Sequence, residues 1–176
     1  MDSFGSLHGV LDAEPGELTE VEGAGESAAA LMCLIRDVTR RYLLDKQEKR
    51  PRIPDSETAG GLLLPYFFGL REERVYAAFL DDGLRLLKCR QLFEGGINYA
   101  PLNVRKLVET ALREKATGVI LAHNHPAGQA IPSVEDREAT LRIRSALEAV
   151  QIRLLDHIIV AGEEFTSMEE CGHFRR

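Results

Sequence analysis

The chain is predicted to be α/β, a mixed sheet flanked by helices, with a small all-α segment in front. Three observations predict it. From Glu72 onward, strand-length apolar runs alternate with stretches whose apolar residues recur at helical spacing. Residues 1–47 instead read as helical throughout. Between the two lies a charged stretch with Pro51 and Pro54 that ends near Gly60-Gly61. At 176 residues the chain has room for one well-buried domain with a small unit attached.

In the N-terminal segment, Asp12 to Leu18 carries turn and helix-start signals in Pro15 and Gly16. Ala28 to Leu44 is a long helix former with apolar positions at Leu31, Leu34, Ile35, Val38 and Tyr42. Val21 to Ser27 joins them. Its Gly23 and Gly25 permit a tight hairpin with free backbone amides at the next helix's N-terminus. Residues 45–61 read as a linker, with a domain boundary at about residue 50 and a short helix around Glu57–Phe68.

In the second domain, residues 51–176, Val75–Leu80 and Leu84–Phe93 read as strands joined by a hairpin at Asp81-Asp82-Gly83. Leu102–Lys115 is an amphipathic helix, Val119–Ala122 a buried strand and Ser133–Val150 a second helix. A strand over Arg153–Ala161 and a short last strand near Phe165-Thr166 complete the sheet.

Composition narrows the function classes. No apolar run approaches the ~20 residues a helix needs to span a bilayer, and the first residues lack the features of a secretory signal. A cytoplasmic location without membrane partners is the expectation. Cys33, Cys89 and Cys171 are too few and too scattered for a disulfide framework, so they are expected as reduced thiols, with Cys33 and Cys89 in the core. Residues 1–30 hold seven acids and no Lys or Arg, so this segment accounts for the net charge of −6. That disfavours contact with phosphates.

The segment most informative about chemistry is His123-Asn124-His125-Pro126, followed by a loop through Gly128 and Pro132 to Ser133 and Asp136. Two histidines at i and i+2 after a strand project to one side. Asp136, in the first turn of the next helix, can turn its carboxylate towards them. Two imidazoles and a carboxylate suit a borderline-soft divalent ion, and three protein ligands leave a fourth position for water, as in catalytic rather than structural zinc sites. Read from spacing alone, a second account stays open: the histidines are solvated strand-end residues, and Ser133 and Asp136 form a capping box.

His123-x-His125, seven residues, Ser133-x-x-Asp136 matches H-x-H-x(7)-S-x-x-D, and on it the chain resembles the JAMM (MPN+) metalloproteases. Val119 to Pro126, Leu154 to Val160, Phe4 to Leu7 and the Val21–Ser27 hairpin are similar to RadC proteins in particular. The resemblance implies a JAMM/MPN-like, cytidine-deaminase-like domain after a shortened helix-hairpin-helix region. It also implies Zn2+ held by His123, His125 and Asp136. The family's water-activating glutamate falls on Glu73, with Glu72 as the adjacent alternative, and its oxyanion-stabilising serine on Ser133. The implied activity is hydrolysis of a peptide or isopeptide bond in an unidentified peptide or protein substrate. RadC proteins carry a serine where this chain has Ala127.

Two further features stay open. Asp156-His157 either orients a metal ligand or is a hydrogen-bonded strand-end pair, whereas His8 and His173 near the termini are expected to be solvated. The other function class is a DNA-associated or protein-interaction module, linked to DNA repair by the resemblance. The basic residues Arg36, Arg40, Arg41, Lys46, Lys49, Arg50 and Arg52 favour it, and Glu20, Glu22 and Glu26 around the hairpin oppose it.

Overall fold

A computed structural model of the chain describes residues 3–95, 101–126 and 128–174. They fall into two compact units, residues 1–47 with 68–71 and residues 48–67 with 72–176.

The first unit has three helices, α1 (Leu7–Asp12), α2 (Pro15–Thr19) and α3 (Glu26–Asp45). Ser6 caps α1 by accepting a hydrogen bond from the Gly9 amide. Pro15 opens α2, where its fixed φ and missing amide proton cost nothing. Ala13, Leu18 and Ala29 are its buried apolar centre, with Phe4, Val10 and Met32 packed against them. The turn between α2 and α3 needs a left-handed residue, and Gly23 supplies it at φ 84°.

The second unit runs α4 (Ser56–Phe67), β1 (Arg74–Leu80), β2 (Leu86–Glu94), α5 (Pro101–Arg113), β3 (Gly118–Asn124), α6 (Val134–Glu148), β4 (Arg153–Ala161) and β5 (Glu164–Ser167). The sheet order is β2-β1-β3-β4-β5. Only β3 and β4 are parallel, with α6 as the crossover between them. The expected mixed sheet flanked by helices is thus present. Alternation along β1 divides its two faces. Val75, Ala77 and Phe79 join Val119 and Leu121 of β3 in a core completed by Leu107 and Ala111 of α5 and Ala139, Ile143 and Leu147 of α6. On the other face, the Tyr76 ring meets Tyr66 and Phe67 of α4, each with centroids 5.2 Å apart. The central strand β3 is buried along its whole length, as its run of aliphatic residues requires.

Three boundaries differ from the sequence reading. The proposed linker is largely structured: Ile53 is buried, its amide donates to the Leu84 carbonyl, and α4 begins at Ser56 behind an Asp55 carboxylate that accepts the Thr58 amide. The first hairpin is wider than a tight turn. Asp81 Oδ1 accepts the Gly83 and Arg85 amides, Leu84 rather than Gly83 takes positive φ, and β2 starts only at Leu86. Finally, β3 extends through Asn124, because His123 pairs with Val75 and Asn124 with Val160. His123 therefore lies inside the strand rather than after it.

Candidate metal centre

The centre is assembled where β3 leaves the sheet. His123 is buried at 1% exposure, on the face of β3 that looks towards α6. His125 follows the strand directly, its amide held by the Val160 carbonyl at 2.8 Å. The chain then returns to the N-terminus of α6. Ala127, the departure from the RadC pattern, lies outside the described residues. Ser133 is the N-cap of α6: its hydroxyl oxygen accepts the Asp136 amide at 3.0 Å, and its own amide donates to Asp136 Oδ2 at 2.8 Å. Its hydroxyl proton also goes to Asp136 Oδ2, at 2.6 Å. The capping box and the histidine cluster, alternatives in the sequence, thus coexist. The box aims Asp136.

The three side chains converge. His123 Nε2 lies 2.9 Å from His125 Nε2 and 3.1 Å from Asp136 Oδ1, and His125 Nε2 lies 3.4 Å from Asp136 Oδ2. Among the described residues these three form a group able to hold a metal ion. The second ring nitrogens decide what the group offers. His125 Nδ1 lies 3.0 Å from the Gln129 carbonyl, which can only accept, so Nδ1 carries the proton and Nε2 is left with its lone pair. His123 Nδ1 contacts His157 Nε2 at 2.9 Å. Burial pushes the Asp136 carboxyl up, but the donors around it, the Ser133 hydroxyl and amide among them, outweigh it and hold the acid well below the usual carboxylate range. Burial holds His157 well below its ordinary value.

These donors fit zinc. Tetrahedral zinc with bonds of ~2.0–2.1 Å places its ligand atoms about 3.3 Å apart, and the three separations here, 2.9, 3.1 and 3.4 Å, bracket that value. Electron pairs from two imidazoles and a carboxylate facing one point suit a cation between them. The side chains of His123 and Asp136 are 1% and 8% exposed, whereas that of His125 retains 18%, so solvent reaches the cluster from the His125 side.

The other sequence-derived residues are disposed as follows. Glu73 immediately precedes β1, and its carbonyl accepts the Gly95 amide. It is not a member of the three-residue group. Val75 pairs with His123 across the antiparallel β1–β3 ladder, and Glu73 stands two residues before Val75, one residue outside the strand. Glu72 is exposed and ion-paired with Arg74 at 2.8 Å. Asp156 is buried, with the His157 and Glu169 amides on Oδ1 and the Ser167 hydroxyl on Oδ2, which makes it a clamp for the end of β5. His8 is exposed beside Asp12, whereas His173 is half-buried. In the basic stretch, Arg40 pairs with Asp37, Arg41 with Asp45 and Arg50 with Asp81. The three cysteines are free thiols.

Two residues around the centre escaped the sequence reading. Thr140 bonds His157 Nδ1 at 2.6 Å, and its spacing of four from Asp136 on a helix was a usable signal. Asn124 holds the segment around Glu73 through the Arg74 amide and the Glu72 carbonyl, a long-range contact that nothing in the local sequence announces.

Comparison with known proteins agrees with this fold. The family model of the RadC-like JAB domain matches residues 53–173. A UPF0758 protein of Aliivibrio fischeri is 37% identical over 172 residues, covering 98% of this chain and 77% of the relative. One of Burkholderia cenocepacia is 35% identical over 173 residues, with 98% and 67% covered, and one of Bordetella parapertussis is 35% identical over 170 residues, with 97% and 76% covered. No helix among the described residues is long and apolar enough to cross a membrane. With the domain matched from Ile53 to His173 and relatives aligned along nearly its whole length, the chain belongs to the RadC family.

Proposed function

We propose that the chain is a zinc-dependent hydrolase of peptide or isopeptide bonds. The observation that carries this reading is the convergence of His123 Nε2, His125 Nε2 and the Asp136 carboxylate on one solvent-reachable point. Zinc held by these residues supplies Lewis acidity, polarising a carbonyl and lowering the pKa of water to about 7.

The chain's own residues do the rest. Glu73, immediately before β1 and two residues before the His123 partner Val75, takes a proton from the attacking water and returns it to the leaving amine. Ser133 donates to the developing oxyanion. For that, its hydroxyl has to leave Asp136 Oδ2, whereas the capping role of its oxygen is retained. His125 is held in its ligating orientation by the Gln129 carbonyl, and Gln129 also borders a groove of about 490 Å³ lined by Ala130, Ile131 and the Glu163–Thr166 hairpin. This groove suits the substrate chain flanking the scissile bond, with the exposed Ile131 as an apolar contact.

The test begins with elemental analysis of the purified chain and of Asp136→Ala. About one zinc per chain is expected, lost in the variant. The metal-loaded chain is then offered peptide and isopeptide libraries, and Glu73→Gln is expected to abolish turnover. A chain that refuses zinc removes the reading. Zinc without Glu73-dependent turnover leaves a metal-binding interaction module instead.

A further inference from the structure

We propose that Thr140 and His157 form a hydrogen-bonded relay that fixes the tautomer of His123 and so presents its Nε2 lone pair to the metal. The inference rests on the metal-binding half of the reading above and is independent of hydrolysis.

The relay closes a ring through three elements. Asp136 and Thr140 lie one turn apart on α6, His157 is on β4 and His123 on β3. The Thr140 hydroxyl lies 2.6 Å from the Asp136 backbone carbonyl and 2.6 Å from His157 Nδ1. His157 Nε2 lies 2.9 Å from His123 Nδ1, and His123 Nε2 returns to Asp136 Oδ1 at 3.1 Å. Every group between the two ends is closed to water: Thr140 is 1% exposed and His157 0%.

Counting protons gives the direction. A threonine hydroxyl has one proton. The Asp136 carbonyl can only accept, so it takes that proton. Met168 Sδ, 3.6 Å from the hydroxyl, is too weak an acceptor to compete. The Thr140 oxygen therefore accepts, and His157 Nδ1 carries hydrogen. A fully buried imidazole in contact with a hydroxyl and another imidazole stays neutral, so its Nε2 is an acceptor. His123 Nδ1 must then donate, which leaves Nε2 of His123 with a lone pair facing the other two ligands. The reverse order would leave the Thr140 and Asp136 oxygens 2.6 Å apart with no hydrogen between them. It would also put a proton on His123 Nε2, where a metal has to bind. Thr140 and His157 are thus positioning residues that act through His123.

The test uses the full chain and three variants. Thr140→Val keeps the shape and removes the hydroxyl. His157→Leu removes both ring nitrogens. His157→Gln keeps an acceptor oxygen close to the place of Nε2. Zinc affinity is measured by competition with a chelator, and imidazole 15N shifts of the metal-free chain report the tautomer. Thr140→Val and His157→Leu are expected to bind zinc about 10–100-fold more weakly, and His157→Gln to recover most of the loss. His123 is expected as the Nδ1–H tautomer in the wild type, with the Nε2–H form gaining population in Thr140→Val. Wild-type zinc affinity in a folded Thr140→Val, or an Nε2–H tautomer at His123 in the wild type, overturns the relay alone. A wild-type chain that binds no zinc overturns the metal reading and the relay with it.

Discussion

Asn124 stands between the two histidines and faces the opposite way. Its Oδ1 accepts the Arg74 amide at 2.8 Å and its Nδ2 donates to the Glu72 carbonyl at 3.1 Å, so one buried side chain grips the backbone on both sides of Glu73. Removing it frees Glu73, the proposed general base, without touching a proposed metal ligand. Asn124→Ala is expected to keep its zinc and lose about 10–100-fold in kcat, since small displacements of a catalytic group are costly. The backbone groups it satisfies would also be left unpaired, at about 1–3 kcal/mol of stability by urea denaturation. An unchanged kcat in the folded variant would exclude a positioning role. A second residue-scale expectation concerns the thiols. Burial pushes the Cys89 thiol up to about 12, although the adjacent Tyr66 and Arg90 groups pull the other way, whereas Cys171 is exposed. Only the thiolate reacts, and at pH 8 about one in 10⁴ Cys89 thiols is ionised. Iodoacetamide at that pH should label Cys171 far faster than the half-buried Cys89 in the native chain, read by peptide mass; equal labelling would contradict the desolvation of the Cys89 thiol.

Helix α4 offers a comparison at the scale of one element, because its adjacent glycines meet opposite surroundings. A Cβ at Gly60 would lie 2.3 Å from the Phe165 ring, whereas one at Gly61 meets nothing within 4 Å. Alanine gains about 0.8–1 kcal/mol over glycine inside a helix, and overpacking costs about 1–3 kcal/mol. Gly61→Ala is therefore expected to stabilise by up to about 1 kcal/mol, and Gly60→Ala to destabilise by about 1 kcal/mol as Phe165 is displaced. Two urea curves decide it, and shifts of the same sign would mean that Phe165 yields freely. The same helix shows what the sequence can and cannot convey. A helix was legible around Glu57–Phe68, but the prolines before it and its glycines also read as the end of a linker, because the feature that makes Gly60 necessary is a ring more than a hundred residues away. Helix α6 was legible in detail: Ser133 and Asp136 signal its start locally, and its apolar residues have one period. The end of β3 was not, since its last two residues are polar and only pairing with β1 and β4 keeps them in the sheet. The candidate metal ligands were read from spacing and resemblance together. Of their partners, His157 was already weighed as orienting a ligand, whereas its contact with Thr140 and the bond between His125 and the Gln129 carbonyl emerged only with the fold.

At the scale of the whole molecule, a zinc ion bound as proposed would act as a tie within the larger unit. Its ligands come from the end of β3 and the start of α6, and the loop between them has no regular structure among its described residues. A ligand that binds only the folded chain adds stability by mass action, about 2.7 kcal/mol when free zinc is 100 times its Kd. For a chain of this size that corresponds to a rise in Tm of roughly 5–10 °C. The comparison that isolates this effect is the shift on adding zinc, not the absolute Tm of a variant. Asp136→Ala also removes the carboxylate that accepts the Ser133 amide and hydroxyl, and so weakens the cap of α6 with or without metal. The wild type is therefore expected to melt higher with zinc and lower after chelation. Asp136→Ala should melt below the wild type in chelator and show no response to zinc. His125→Ala separates the two contributions, because it removes a ligand and leaves the cap intact, so its metal-free Tm should stay nearer the wild type while its zinc response is lost. If all three chains melt alike with and without zinc, the triad is a polar cluster that braces α6 against β3, and the tie is made by hydrogen bonds alone.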